Sequence, residues 1–213
     1  MTEATLIQGL QDTGLPRRTV LKRSLGLAGG ALATVPLIAL LGGLIKKPGK
    51  TLDHTPYGLL QDKYPNGVPM IYADGRRVSP SDMQAGGLAT VFPVGYVNDA
   101  SSPTLLIRLR PGQHVTARKN QSGFQWGDFV AFSKICTHAG CPASLYEQQT
   151  GRLLCPCHQS QFQVLEDAKP VFGPATRSLP KLPLGVEVVD GRQFFVAKAD
   201  FPEPIGPGFW ERS

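Results

Sequence analysis

The four cysteines of this 213-residue chain all lie between positions 136 and 157, and this crowding constrains the fold more than any other feature. They form two boxes. Cys136-Thr137-His138-Ala139-Gly140-Cys141 is followed, after a spacer, by Cys155-Pro156-Cys157-His158-Gln159-Ser160. Each box offers one Cys and one His at chelating distance, as Cys136-x-His138 and Cys155-x-x-His158. Two loops that each give a thiolate and an imidazole can grip one compact centre, so the fold must bring two distant loops together. Gly140, Pro142 and Pro156 are loop-forming residues suited to that task.

Four chemistries compete for such boxes. A structural zinc held by two Cys and two His is possible, but it leaves a second cysteine pair without purpose, and the one-residue Cys136-x-His138 spacing is unusual for a finger. Covalent haem attachment needs Cys-x-x-Cys-His, and Cys155-Pro156-Cys157-His158 is one residue short. A pure disulfide scaffold leaves two histidines at matching places unexplained. A Rieske [2Fe-2S] centre, in which two His replace two Cys on one iron, uses Cys136, His138, Cys155 and His158 together.

The surrounding chain reads as all-β. Gly 24 and Pro 19 favour turns and short strands over long helices. Thr104–Leu109 is a short apolar run bounded by Ser-Pro and Pro-Gly, and Phe129–Ile135 leads directly into Cys136. Val186–Val189 and Gln193–Val196 flank Asp190-Gly191, a strong hairpin signal. After residue 58 no strongly amphipathic helix of three turns stands out. The tail from Phe201 to Trp210, with Pro202, Pro204 and Pro207, reads as an extended segment laid over a surface. His54 and His114 lie outside any chelating pattern. Trp126, Tyr146, Phe162 and Phe172 read as packing residues rather than electron relays. Arg76, Arg77, Arg108 and Arg110 read as solvated faces or subunit contacts.

The N-terminal third has another character. Residues 24–45 are 22 consecutive uncharged residues rich in Leu, Ala and Gly, and as a helix they span about 33 Å, enough to cross a hydrocarbon core. Gly26, Gly29, Gly30 and Pro36 would weaken a helix in water but are tolerated in lipid. Arg17, Arg18, Lys22 and Arg23 precede the run, and Lys46, Lys47 and Lys50 follow it. Arg17-Arg18-Thr19-Val20-Leu21-Lys22 resembles the twin-arginine export signal, with Pro16 and Val20 in place of the usual Ser or Thr and Phe. Ala31-Leu32-Ala33 matches a small-x-small cleavage pattern, but it sits inside the apolar run, so a retained anchor is expected. The division expected is a cytoplasmic segment 1–23, a single transmembrane helix 24–45, a linker 46–57 and a folded domain 58–213. The net charge of +6 comes without a Lys/Arg stripe with interleaved aromatics, which argues against nucleic-acid binding.

With both boxes read, the chain resembles the Rieske iron–sulfur subunit of quinol–cytochrome c oxidoreductases, the cytochrome bc complexes. The likeness is closest to the actinobacterial form. Ser133-Lys134-Ile135-Cys136, Ser144-Leu145-Tyr146-Glu147-Gln148-Gln149 and Pro207-Gly208-Phe209-Trp210-Glu211-Arg212 carry it; residues 58–125 are less alike. The resemblance implies an antiparallel β domain with a cluster-binding subdomain. It implies that Cys136 and Cys155 bind the inner iron, that His138 and His158 bind the outer one, and that a Cys141–Cys157 disulfide joins the two loops. That disulfide would close a loop of about 15 residues, worth roughly 3 kcal/mol by chain entropy, and implies an oxidising compartment outside the cytoplasmic membrane. Ser160 is expected to donate its hydroxyl to a bridging sulfide. High-potential members carry a Tyr at the position of Phe162, which cannot donate to a ligating thiolate, so a lower potential and menaquinol as reductant are expected. The stretch covering the cluster, Gly173-Pro174-Ala175-Thr176, departs from the family's Gly-Pro-Ala-Pro, and a looser lid is expected.

The activity implied is that of a membrane-anchored oxidoreductase subunit in a respiratory chain. It takes an electron, coupled to a proton, from a membrane quinol and passes it to a c-type cytochrome. By resemblance His158, rather than His138, faces the quinol. The expected partners are cytochrome b, a c-type cytochrome and a terminal oxidase in a supercomplex, with the domain on the extracytoplasmic side of the cell membrane. Actinobacterial relatives commonly carry two further spans upstream, whereas one is expected in this sequence, so either it is a short form or the upstream part is absent. The alternatives are the Rieske subunit of another respiratory enzyme, such as arsenite oxidase, a Rieske ferredoxin feeding an oxygenase, and a zinc-stabilised membrane adaptor. Oxygenase-type centres usually lack the disulfide pair and the anchor, so Cys141, Cys157 and residues 24–45 weigh against the ferredoxin.

Overall fold

A computed structural model describes residues 55–207. Among the described residues, ten strands form two antiparallel sheets. β1 (Val68–Ile71), β2 (Leu88–Pro93), β3 (Thr104–Arg108), β4 (Phe129–Ser133), β9 (Leu184–Val189) and β10 (Arg192–Ala197) make a six-stranded sheet in the order β4-β3-β2-β1-β10-β9. β5 (Leu145–Glu147), β6 (Arg152–Leu154), β7 (Gln161–Gln163) and β8 (Lys169–Phe172) form a four-stranded meander inserted between β4 and β9. The larger sheet curls on itself. Ser133 N–H donates to Pro180 O at 2.8 Å and Leu182 N–H to Ala131 O at 2.9 Å, so the run entering β9 covers the otherwise open edge of β4.

The expected hairpin is present. Val189 pairs with Arg192, and Asp190 and Gly191 adopt φ of 49° and 74°, the left-handed pair that a two-residue turn needs to match strand twist. β3 and β4 read as continuous apolar runs because both their faces are buried. Leu106, Phe129 and Ala131 enter one core, with Met70, Val91 and Phe195. Leu105, Ile107, Val130 and Phe132 enter a second core, with Leu153, Phe162, Cys136 and Cys155. The second core lies under the inserted sheet, so the loops of the two boxes stand on the outer wall of the larger sheet. The inserted strands alternate as strands should: Leu153 and Phe162 point into this core, while Leu145 and Arg152 face outward.

A buried ionic knot ties the insertion to the rest. Asp167 and Lys181 are both fully buried, with Lys181 Nζ 2.8 Å from Asp167 Oδ1. Asp167 Oδ2 accepts from Arg118 N–H and Nε–H, each at 3.0 Å, and Arg118 Nη1 donates to both oxygens of Glu203 at 2.8 Å. Asp167 sits at φ 59°, in the left-handed region that Asp tolerates better than most residues.

The folded region begins earlier than residue 58. α1 (Pro56–Leu60) is capped by the Thr55 side chain, and Tyr57 is fully buried with its hydroxyl 3.0 Å from Thr104 Oγ1. Thr55–Tyr57, expected as the end of the linker, are therefore packed. Burial is the main cause that pushes the Tyr57 phenol up, so it stays protonated. Trp126 packs on Phe129 and Phe195 in the first core, away from the boxes, and Phe172 is 58% exposed, which excludes the core packing expected of it. The expected membrane span 24–45, the segment 1–23, His54 and the tail beyond 207 lie outside the described residues. Among the described residues, no helix is long and apolar enough to cross a membrane.

Candidate metal centre

Each box is a six-residue loop closed by its own backbone. In the first, which follows β4, Cys136 N–H donates to Cys141 O at 2.8 Å and Gly140 N–H to Cys136 O at 3.0 Å. In the second, between β6 and β7, Cys155 N–H donates to Ser160 O at 2.9 Å. The fifth residue of each loop is left-handed: Gly140 at φ 81° and Gln159 at φ 60°. Glycine takes that conformation without penalty, whereas Gln159 is held there against its preference. The two loops thus share one local geometry despite having different sequences.

Folding brings the boxes together. Cys141 and Cys157 form a disulfide, as the resemblance implied. Cys136 and Cys155 are unpaired thiols, each 1% exposed, that adjoin one another. The rings of His138 and His158 meet edge to face with centroids 4.7 Å apart. His158 is exposed and His138 is partly covered. Burial pushes the Cys136 thiol up, and the adjoining Cys155 adds to the rise, so a bare Cys136 thiolate is disfavoured here unless a cation neutralises it. The Sγ atoms of Cys141, Cys155 and Cys157 lie within 4.8 Å of one another. Since two of these are already bonded to each other, Cys155 is the member of that group with a ligand site to offer. Two soft, buried, adjoining thiols beside two facing imidazoles fit a [2Fe-2S] group of mixed ligation.

The lid stretch is closely seated. A Cβ added to Gly173 would stand 2.7 Å from Ser160 Cα and 2.8 Å from Gln159 O, at φ 82°, so only glycine lets the lid approach the second box. Ser160 is fully buried and its Oγ accepts from Ala175 N–H at 3.2 Å, which leaves its own hydrogen for another partner. On the other side, Thr137 Oγ1 donates to Arg177 O at 2.6 Å. The Thr176 that departs from the family pattern does not detach the lid, because the lid's contacts run through the glycine and the backbone. Thr137, Gly173 and Arg177 were not legible as partners of the boxes. The available signal was a glycine and an arginine flanking Pro174-Ala175-Thr176 shortly after the second box.

The other expectations divide. His114 is exposed and outside the site. Phe162 is fully buried in the second core, with Cys136 and Cys155. Arg77 pairs with Glu187 and covers the Phe194 ring, and Arg108 holds Asp128 and Met83 O; these are intramolecular ties rather than solvated faces.

Paired Cys/His loops, clamped by a disulfide and roofed by a glycine-bearing lid, define a Rieske-type iron–sulfur domain, and residues 93–183 match the Rieske [2Fe-2S] domain family. Residues 1–68 match the QcrA subunit N-terminal region. A cytochrome bc1 complex Rieske iron-sulfur subunit from Streptomyces lividans is 43% identical across 62% of this chain and 80% of its own length. Proteins of the same description from Mycobacterium tuberculosis and Corynebacterium diphtheriae are each 39% identical, across 99% and 98% of this chain. The chain belongs to the family of cytochrome bc1 complex Rieske iron–sulfur subunits. It spans 56% of the length of the Mycobacterium tuberculosis relative and 64% of the Corynebacterium diphtheriae one. Among solved structures, the cyanobacterial plasma membrane Rieske protein from Synechocystis overlays with a TM-score of 0.36, at 22% identity over 56% of this chain and 96% of its own.

Proposed function

We propose that this chain is the quinol-oxidising Rieske subunit of a membrane-bound cytochrome bc complex, with Cys136 and Cys155 holding the inner iron and His138 and His158 the outer one. The facing His138 and His158 rings beside two buried, unpaired thiols are the observation that carries this reading. When bound, the [2Fe-2S] group supplies a one-electron acceptor at the exposed end of the domain. The residues around it do the rest. His158, exposed at the tip of the second loop, offers a ring nitrogen to a quinol hydroxyl and takes its proton. His138, partly covered, serves as the second imidazole rather than the proton acceptor. The Cys141–Cys157 disulfide holds the two loops in register, and the lid from Gly173 to Arg177 excludes water from Ser160 and the thiols. The partners proposed for this chemistry are cytochrome b, which would supply the quinol pocket, and a c-type cytochrome, to which the bound group would pass the electron.

Menaquinol is the reductant that the site fits. Phe162, fully buried among the residues of the inner-iron core, brings no hydroxyl to the ligating thiolates. Thiolates with fewer donors keep more electron density, which favours the oxidised form and lowers the potential. The membrane anchor is residues 24–45, the linker ends before the packed Thr55, and the domain lies on the extracytoplasmic side, where a disulfide persists.

The test uses the full chain in its detergent-solubilised complex. Reduced protein is expected to give a Rieske-type EPR spectrum with equal iron and acid-labile sulfide. His158→Ser is expected to abolish menaquinol-dependent cytochrome c reduction, with cytochrome b and a c-type cytochrome co-purifying. A colourless protein containing zinc would end the reading.

A further inference from the structure

The last described residues run alongside the first box. A Cβ added to Gly140 would lie 3.7 Å from Pro207 Cδ, and one added to Gly206 would lie 3.7 Å from Ile135 Cγ2. This strap is pinned below by Phe201 and Ile205, 8% and 2% exposed in the first core, and at its side by Glu203 on Arg118. Next to the box it is gripped by one side chain. Arg177 Nη1 donates to Pro204 O and Nη2 to Gly206 O, both at 2.9 Å. The carbonyl of the same residue accepts from Thr137 Oγ1 at 2.6 Å. Arg177 belongs to the lid, which reaches the second box through Ala175 N–H and Ser160 Oγ.

Strap and first box therefore meet at Arg177, and the lid that carries it touches the second box two residues earlier, at Ala175. Thr137 lies between Cys136 and His138 and is 3% exposed, so a shift of its hydroxyl displaces its neighbours on both sides. A guanidinium is a planar fork that can hold two carbonyls at once, whereas an ammonium on a flexible stem cannot hold both in fixed geometry.

We infer that Arg177 is a positioning residue for the iron–sulfur centre: it clamps the C-terminal strap with its side chain and the first box with its carbonyl, and so fixes His138 against the second box. This rests on the ligand assignment proposed above. The fork matters, not the charge alone, which separates this role from a general electrostatic one. Neither box supplies the clamp, and the strap that completes it lies 27 and 29 residues beyond Arg177.

The experiment compares the full-length wild-type chain with Arg177→Lys and Arg177→Met in detergent. It measures the rate of iron release to a chelator, the EPR line shape of the reduced protein and the unfolding midpoint. Loss of one charge-assisted hydrogen bond corresponds to about a tenfold change in equilibrium, so Arg177→Lys is expected to release iron roughly tenfold faster, and Arg177→Met at least as fast. The EPR lines are expected to broaden in both variants, while the midpoint of Arg177→Lys falls by no more than about 5 °C. If Arg177→Met does not fold, Arg177→Lys decides. Wild-type iron retention and line shape in Arg177→Lys would overturn the inference while leaving the ligand assignment standing. A midpoint lowered in step with iron loss, with an unchanged line shape, would also overturn it and make Arg177 structural only. A wild-type chain that binds no iron would overturn the ligand assignment and this inference together.

Discussion

Replacing Asp167 by Asn isolates the worth of the buried charge that ties the inserted sheet to the larger one. Asn accepts the same left-handed backbone and keeps an oxygen for the Arg118 N–H groups, so neither strain nor shape changes much. What changes is that Lys181, fully buried with its ammonium 2.8 Å from Asp167, loses its counter-charge. Breaking one side of a buried pair costs about 3–5 kcal/mol. At roughly 2–4 °C per kcal/mol for a domain of this size, the unfolding midpoint should fall by about 6–20 °C at neutral pH. The pH dependence adds a signature. Burial alone would push the Asp167 carboxyl up, but Lys181 and Arg118 outweigh it and hold the group below its ordinary value of 3.8. A depressed native value contributes stability that is present above the unfolded value and is lost as pH falls through the native one. The wild-type midpoint should therefore drop steeply below about pH 4, and Asp167→Asn should show a shallower fall. Adding Lys181→Met to the Asn variant should restore much of the loss, because an apolar replacement of a buried pair is often near neutral. Differential scanning calorimetry of the full chain measures all three variants. An Asp167→Asn midpoint within about 2 °C of wild type at pH 7 would refute the reasoning, since such a shift corresponds to no more than about 1 kcal/mol.

Three further outcomes are expected. Replacing Cys141 and Cys157 together by Ser should cost roughly 3 kcal/mol by loop entropy, read as a lower midpoint under non-reducing conditions and an unchanged one when wild type is compared after reduction. Phe162→Tyr should raise the reduction potential by tens of millivolts, about 59 mV for each tenfold shift of a one-electron equilibrium; potentiometry with EPR detection reads it, and an unmoved potential would show that no donor reaches a thiolate from this position. Gly173→Ala must place a methyl 2.7 Å from Ser160 Cα at φ 82°, with about 1–2 kcal/mol of backbone strain added to the clash. It should speed chelator access to the iron, and unchanged access would mean that the lid does not seal the second box.

The candidate ligand set was legible in the linear order of residues because residue type and short-range spacing are local properties. Cys136, His138, Cys155 and His158 are readable as a set without any fold. So is the Asp190-Gly191 turn, since two left-handed residues between apolar runs specify a hairpin wherever they occur. β3 and β4 were readable as strands for the same reason, and each ended within two residues of its apolar run. The inserted strands escaped notice because β5, β6 and β7 have three residues each, too few for a period to emerge.

What the order of residues alone determined is which side chains can bind a metal, and that two loops must meet for them to do so. Tertiary structure alone decided what holds those loops there. The Thr137–Arg177 bond joins residues 40 apart, and the Thr55–Asp200 bond joins residues 145 apart. No local pattern marks such partners. A hydroxyl and a carbonyl become a clamp only after the sheets have curled and the strap has crossed back, because the energy of each contact depends on positions that the whole topology sets.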